Sequence, residues 1–306
     1  MLAAAAVLAA AAAIAFVLLR ASAPAISRFG PAFLVRADWD PIRLSFGALP
    51  FVWGTLYTTA IATVLAVAAG VMTALYLTEV AGGGTRAVLG FTIEFLAAIP
   101  SVIFGLWGLY VLIPWLRDHV AVPLSMRAGD FPLLAGPVYG PGMLAAGLVL
   151  AVMIVPTVAA VSREVFASVP ETLRDAAYAL GVTRWEMVRT VLLPAAKGGL
   201  LGAVVLAVGR AMGETMAVTM VIGNAAAVSV SLFAPGNTMS SVIANQFAEA
   251  TERLHQAALM EIGLLLFLTT LLVNLGARWL AARTAARAMM VPPFAGAPEE
   301  GQADAA

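Results

Sequence analysis

The sequence predicts an all-α polytopic membrane protein with six transmembrane helices, and three observations carry that reading. Of the 306 residues, 62% are apolar and 11% charged, against about 25% charged in a soluble domain. Six runs are apolar for long enough to cross the hydrocarbon layer, which takes about 20 helical residues for ~30 Å. These runs are continuously apolar and do not alternate, which argues against a membrane β-barrel. The net charge is zero, so no basic field points to nucleic acid. Cysteine is absent, which excludes disulfides, thiolate metal sites and cysteine nucleophiles. The two histidines, His119 and His255, flank apolar runs and read as solvated residues near the membrane surface, not as metal ligands.

Taken in order, the first run is Leu2–Leu19. Ala21-Ser22-Ala23 behind it has the small-residue pattern of a signal-peptidase site. No basic region precedes Leu2, however, and the run is long for a signal core, so it reads as an uncleaved span. The loop from Arg20 to Pro50 carries Arg20, Arg28, Arg36 and Arg43, offset by Asp38 and Asp40. It is either a solvated loop or a surface that meets a partner or an anion. The second span, Phe51–Leu77, repeats small residues at Gly54, Ala60, Ala62, Ala66, Ala68, Ala69 and Gly70, which let helices approach closely in lipid. Gly82-Gly83-Gly84 turns the chain into a third span, Leu89–Leu116. Glu94 lies two turns into it, interfacial or paired with a neighbour's cation, and Ile99-Pro100-Ser101 predicts a kink.

A Pro/Gly-rich connection, 123–142, reads as an external loop before the fourth span, Gly142–Val161. The fifth and sixth spans are Gly198–Gly223 and Ala257–Leu280. Between them 225–256 is too polar to cross, and Thr238–Ala250, with Asn245 and Gln246, predicts an amphipathic helix on the outer face. The tail after Arg287 reads as disordered. The expected organisation is a first helix and external loop over 1–50, a transmembrane domain over 51–284 and a tail over 285–306. Placing the N-terminus and the loop Ser162–Lys197 in the cytoplasm puts nine cations inside and seven outside, a modest positive-inside bias.

That cytoplasmic loop predicts a helix-turn-helix. Ser168-Val169-Pro170-Glu171 and Thr183-Arg184-Trp185-Glu186 both have capping-box spacing. Gly181 fits the left-handed position that ends a helix, and Leu193-Pro194 closes the second one. Ala176 and Ala177 offer side chains small enough for another surface to approach closely. The bland alternative is a structured connection between two spans.

Asp175-Ala176-Ala177, then Tyr178-Ala179-Leu180, Gly181, nine residues, and Val191-Leu192-Leu193-Pro194 resemble the EAA loop of ABC importer permeases. The one departure is Asp175, where the pattern has Glu; the charge is kept on a shorter stem. The resemblance implies a type I ABC importer permease architecture like that of the methionine permeases. It also implies that this loop, 162–197, is the coupling helix seated in a groove of a cytoplasmic ATPase. Asp175, Ala176, Ala177, Leu180, Gly181, Leu193 and Pro194 would then carry the coupling.

The fifth span holds Arg210 about 18 Å along its helix, near mid-membrane. A lone Arg there costs at least ~2.5–3.5 kcal/mol. Glu214, four residues on, shares its helical face, so the pair can neutralise itself; Asn224 returns to that face. Gly209 and Gly213 have GxxxG spacing. One reading is an ion pair that fixes helix register. The other is an anion site or gate, since a guanidinium fork fits phosphate or carboxylate oxygens bidentately. Met212, Met216 and Met220 recur at helical spacing and read as packing.

The stretch from Gly209 to Asn224, with Glu214 and Thr215 inside it, closely resembles phosphate-specific ABC permeases of the PstC type. Gly54–Leu56, Tyr76–Glu79, Ile99–Gly105, Leu232–Gly236 and Ser241–Ala250 extend the likeness over most of 51–280. The resemblance implies a substrate path through Arg210, Glu214, Thr215 and Asn224 and a bacterial cytoplasmic (inner) membrane location. It implies as partners a PstA-like second permease, two ATPase subunits and a periplasmic phosphate-binding protein. No cofactor or metal is expected. The competing readings are a permease for sulfate, molybdate or phosphonate, a gradient-driven anion transporter or channel, and a signalling role with a membrane sensor kinase. The last is compatible with transport. The chain lacks a Walker A loop, because its single Lys, Lys197, is followed by Gly198. It cannot be its own ATPase.

Overall fold

The structure is a computed structural model that describes residues 2–128, 131–134 and 139–288. Five of its helices are long and apolar enough to cross a membrane, and a bent pair makes six among the described residues. The expected multi-pass helical architecture is therefore present. The expected tail falls largely on 289–306, outside the described residues.

Helix α1, Leu2–Phe29, runs ten residues past the expected end. Ala21–Ala23 lies inside it, and Ser22 is fully buried with its hydroxyl donated to the Leu19 carbonyl at 3.1 Å. The Arg-rich segment that follows is not a loose loop. It forms a 3₁₀ turn, Gly30–Leu34, and a short antiparallel ribbon of β1, Trp39–Asp40, and β2, Ser45–Phe46. Trp39 packs edge-on against Phe46 and Phe51, each 4.8 Å away. His255 stacks on Phe46 at 5.2 Å and is 7% exposed. The reading of His255 as solvated is thus corrected: its partners come from a segment more than 200 residues distant. His119 is exposed, as expected.

Helix α2, Leu49–Leu75, ends in a π-turn, Tyr76–Val80, and lies along α7, Met143–Ala167. The small residues of α2 divide. Gly54, Ala62, Ala66 and Gly70 are buried, whereas Ala60, Ala68 and Ala69 are exposed. A Cβ on Gly70 would sit 2.7 Å from Val158 of α7, and one on Gly54 would collide with the Asn237 carbonyl. Gly54→Ala should therefore lower the thermal stability of the purified protein by about 1–3 kcal/mol, the usual scale of overpacking. Ala60→Val, on the exposed side of the same helix, should leave it unchanged in the same melting assay.

The expected kink at Pro100 is a full break. Helix α3, Gly83–Ala98, meets the helical stretch Ser101–Arg127 at 95°. Pro100 lacks an N–H and forces Ile99 out of the helical region, to φ −67°, ψ 129°. Beyond it α4, Ser101–Trp107, α5, Ile113–Leu116, and α6, Val122–Ala128, follow through π-turns. The chain thus remains helical into the connection expected as loop. Glu94 does find a cation: Arg163 of α7 lies 3.6 Å away.

The remaining elements are α8, Glu171–Ala179, α9, Arg184–Met187, α10, Leu193–Gly213, α11, Met216–Val221, α12, Met239–Gln246, and α13, Arg253–Ala288. Helix α1 packs on α13, and α10 packs on α7, α13 and α2. Apolar cores lie between α2, α7, α10 and α11, beneath the β ribbon, and beneath α8.

Candidate functional site: a lever and a broken span

The lever is α8–α9. Helix α8 starts without a side-chain cap; Pro170 holds the cap position, and the Ser168 hydroxyl donates to Val165 instead, at 2.8 Å. The first expected capping box is therefore absent, because Pro170 already sets the backbone entry. The second is present: Glu186 N donates to Thr183 Oγ1 at 3.3 Å, and Thr183 N donates to Glu186 Oε2 at 2.8 Å. Gly181 closes α8 at φ +79°, a conformation favourable to glycine.

Asp175 and Ala176 are exposed on α8, and Leu180 is 85% exposed at its end. Ala177 is not part of that face. It is 6% exposed and packs with Phe166, Met187 and Leu192 in the core under the lever. Alanine at adjacent positions serves two surfaces, one inside and one out. Pro194 likewise departs from expectation, since it does not end the second helix. A π-turn over Val188–Leu192 carries α9 into α10, and Pro194 falls in the first turn of α10. Proline is tolerated there because its missing donor is not needed. The lever and the fifth span are consequently one helical body from Arg184 to Gly213.

That body stops at Glu214, which is extended at φ −69°, ψ 127°. The expectation that Arg210 and Glu214 share a helical face and pair is therefore corrected: the helix ends between them, and no ion pair joins them. Glu214 Oε1 instead accepts from Ala217 N at 3.2 Å, at the start of α11. The Glu214 carbonyl accepts from Ser240 Oγ at 2.8 Å. Thr215 donates to the Gly213 carbonyl at 3.2 Å. Arg210 is exposed, with no ion pair among the described residues. Asn224 is not beside it. It lies beyond α11 in a left-handed conformation, φ +54°, and donates to Thr219 O at 2.9 Å. A Cβ on Gly209 would come no closer than 3.8 Å, to the Asn274 side chain, and one on Gly213 would meet nothing within 4 Å among the described residues, so the GxxxG pair makes no tight helix contact. Met212 is buried and Met216 exposed, on different helices, so the methionines form no single stripe. No cluster of metal-ligating residues exists among the described residues.

The two interrupted spans meet. A Cβ on Gly105 of α4 would lie 3.1 Å from Ala217 Cα of α11 and 2.7 Å from Met220. Gly105 follows the Pro100 break by five residues and Ala217 follows Thr215 by two, so both breaks fall within about two turns of one contact. Interrupted helices at membrane depth are tolerated where they line a cavity or lie inside protein, and they recur at substrate sites of transporters.

A third segment supports the break. The run expected as an amphipathic helix does form one, α12, and its first turn packs into the protein: Asn237, Thr238, Ser240 and Ser241 are all buried. Thr238 and Ser241 cap α12 reciprocally, and Met239 N donates to Thr55 Oγ1 of α2 at 3.0 Å. Its hydroxyls satisfy one another and the backbone. Ser240, Thr55 and Arg174 are functional candidates that the sequence reading passed over. Nothing local distinguishes them, because their roles come from partners distant in sequence.

The profile of the family described as "binding-protein-dependent transport system inner membrane component" matches residues 66–286. The chain belongs to this family of transport permeases. Among its curated relatives, the "phosphate transport system permease protein PstC" of Mesorhizobium japonicum is 44% identical over 86% of this chain and 82% of its own length. The protein of the same name from Pasteurella multocida is 47% identical over 81% and 78%. A "probable phosphate transport system permease protein PstC" of Methanocaldococcus jannaschii is 35% identical over 82% of each. In fold, the permease resembles a chain of the MetNI methionine ABC transporter, with a TM-score of 0.57, 21% identity, and 76% of this chain and 94% of that one covered. The likeness covers the permease architecture that the EAA-type loop implied.

Proposed function

We propose that this permease moves inorganic phosphate into the cytoplasm across the bacterial inner membrane, as one of two permeases in an ATP-driven importer. Two ATPase subunits bind the cytoplasmic face of the permease pair, one of them at the lever of this chain, and a phosphate-binding protein delivers the anion at the opposite face. The second permease is PstA-like. Hydrolysis belongs to the separate ATPase subunits. The observation that carries the reading is Arg210, exposed and without an ion-pair partner among the described residues, one helical turn before the break at Glu214, in a chain 44% identical to a phosphate permease. A guanidinium left free in a membrane segment needs an anion or water to stabilise it, and its planar fork fits phosphate oxygens.

The lever weighs against a gradient-driven carrier, which has no use for an ATPase dock. Competition decides the substrate. In vesicles holding the assembled importer, labelled phosphate uptake should be diluted by unlabelled phosphate and left unaffected by equal sulfate or molybdate. Equal competition by sulfate or molybdate would reassign the chain to another oxyanion.

A further inference from the structure

Arg174 belongs to the lever, yet its guanidinium turns inward. Nη2 lies 3.4 Å from Glu79 Oε1 and donates to the Phe166 carbonyl at 2.6 Å. The Arg174 and Glu79 side chains are 17% and 10% exposed. Two charges so withdrawn from water depend on each other, because either one alone would be buried and uncompensated. They form part of the wall of a cavity of about 520 Å³, which Arg86, Arg163 and Glu171 also line.

Glu79 sits in the π-turn that ends α2. At the opposite end, α2 is tied to the segment around the break. Trp53 Nε1 donates to Ser229 O at 2.7 Å, and Tyr57 donates to Val230 O at 2.8 Å. Thr55 Oγ1 accepts from Met239 N at 3.0 Å. The next residue, Ser240, holds the Glu214 carbonyl. Between these ends α2 is packed tightly along α7 through Ala62, Ala66 and Gly70.

We propose that Glu79 and Arg174 are positioning residues that transmit the movement of the lever through α2 to the break at Glu214. This rests on the ATPase-coupled reading above. A stroke on α8 reaches α10 directly, through the continuous helix from Arg184. It reaches α2 through the ion pair. With both routes intact, the two sides of the broken span move together. Without the pair, α10 moves while α2 and the Ser240 contact lag, so ATP is hydrolysed without opening the path.

The test uses the complete importer, with both permeases, the ATPase subunits and the binding protein, in proteoliposomes. Phosphate uptake and ATP hydrolysis are read in one sample. Glu79→Gln and Arg174→Gln should retain the ATPase and lower phosphate moved per ATP by about tenfold, within ordinary intersite coupling. The double variant should be no worse than the poorer single, and the reversed pair, Glu79→Arg with Arg174→Glu, should recover part of the loss. Unchanged phosphate per ATP in the singles overturns the proposal, as do losses that multiply in the double. If a single variant fails to assemble, the double variant, which leaves no unpaired charge, decides: full phosphate per ATP there also overturns it. Failure of the ATPase to co-purify with the unaltered permease counts against the coupling reading itself, and that readout is separate.

Discussion

Replacing Arg210 by Gln should abolish phosphate uptake while the importer still assembles. The structure separates these two properties. Arg210 is exposed and makes no ion pair among the described residues, so folding does not depend on its charge. Removing it even relieves the cost of a cation at membrane depth, ~2.5–3.5 kcal/mol or more. What is lost is a charged donor for the anion, and a hydrogen bond to a charged group contributes about 1.5–3 kcal/mol, or roughly 10- to 150-fold. Arg210→Lys should fall between, because it keeps the charge and loses the fork. Uptake by purified importer in vesicles, with co-purification as the control for assembly, checks this. Normal uptake by Arg210→Gln would remove Arg210 from the substrate path. Glu214 behaves differently: its carboxylate accepts from Ala217 N in the first turn of α11, and Glu214→Gln keeps an oxygen to accept from Ala217, so assembly should survive.

The second large effect is loss of the ATPase on altering the lever's outer face. Leu180 is 85% exposed at the end of α8, and Ala176 is exposed beside it. Such an apolar side chain in open water is what a partner groove would bury. Leu180→Arg or Ala176→Trp should therefore strip the ATPase from a permease that still folds, weakening it by about 30-fold or more, as truncation of an interface hot spot does at ≥ 2 kcal/mol. Ala177→Trp should fail in another way. Ala177 is enclosed by Phe166, Met187 and Leu192, so the indole overpacks the permease and lowers its own folded yield. Gly181→Pro should disrupt both, since its φ of +79° is closed to proline. ATPase retained by Leu180→Arg would show that docking lies elsewhere.

The contrast between Ala176 and Ala177 shows how far the sequence was legible. Features set by a few neighbouring residues were readable: the spans, the Thr183–Glu186 cap, Gly181 at positive φ, and the interruption at Pro100. Each follows from a local steric or hydrogen-bonding rule. Features set by distant partners were not. Nothing near His255 announces Phe46 and Trp39, and nothing near Ser240 announces the Glu214 carbonyl. The break at Glu214 was missed because no proline marks it; its carboxylate accepts from Ala217 N in the first turn of α11, a partner that lies outside its own helix. Pro194 misled in the opposite direction, because a π-turn absorbs it. Sequence reasoning could name Arg210, Glu214 and Thr215 as candidates, but it could not give their arrangement. The ion pair expected between the first two does not form.

ATP should drive phosphate import through this chain. The most direct measurement is phosphate accumulation in proteoliposomes containing this permease, its PstA-like partner, the ATPase subunits and the binding protein. Accumulation against a gradient with ATP, its absence with a non-hydrolysable analogue, and its loss on omitting this chain are the predicted results. Phosphate entry that proceeds without ATP, or that follows an imposed ion gradient instead, would contradict the account.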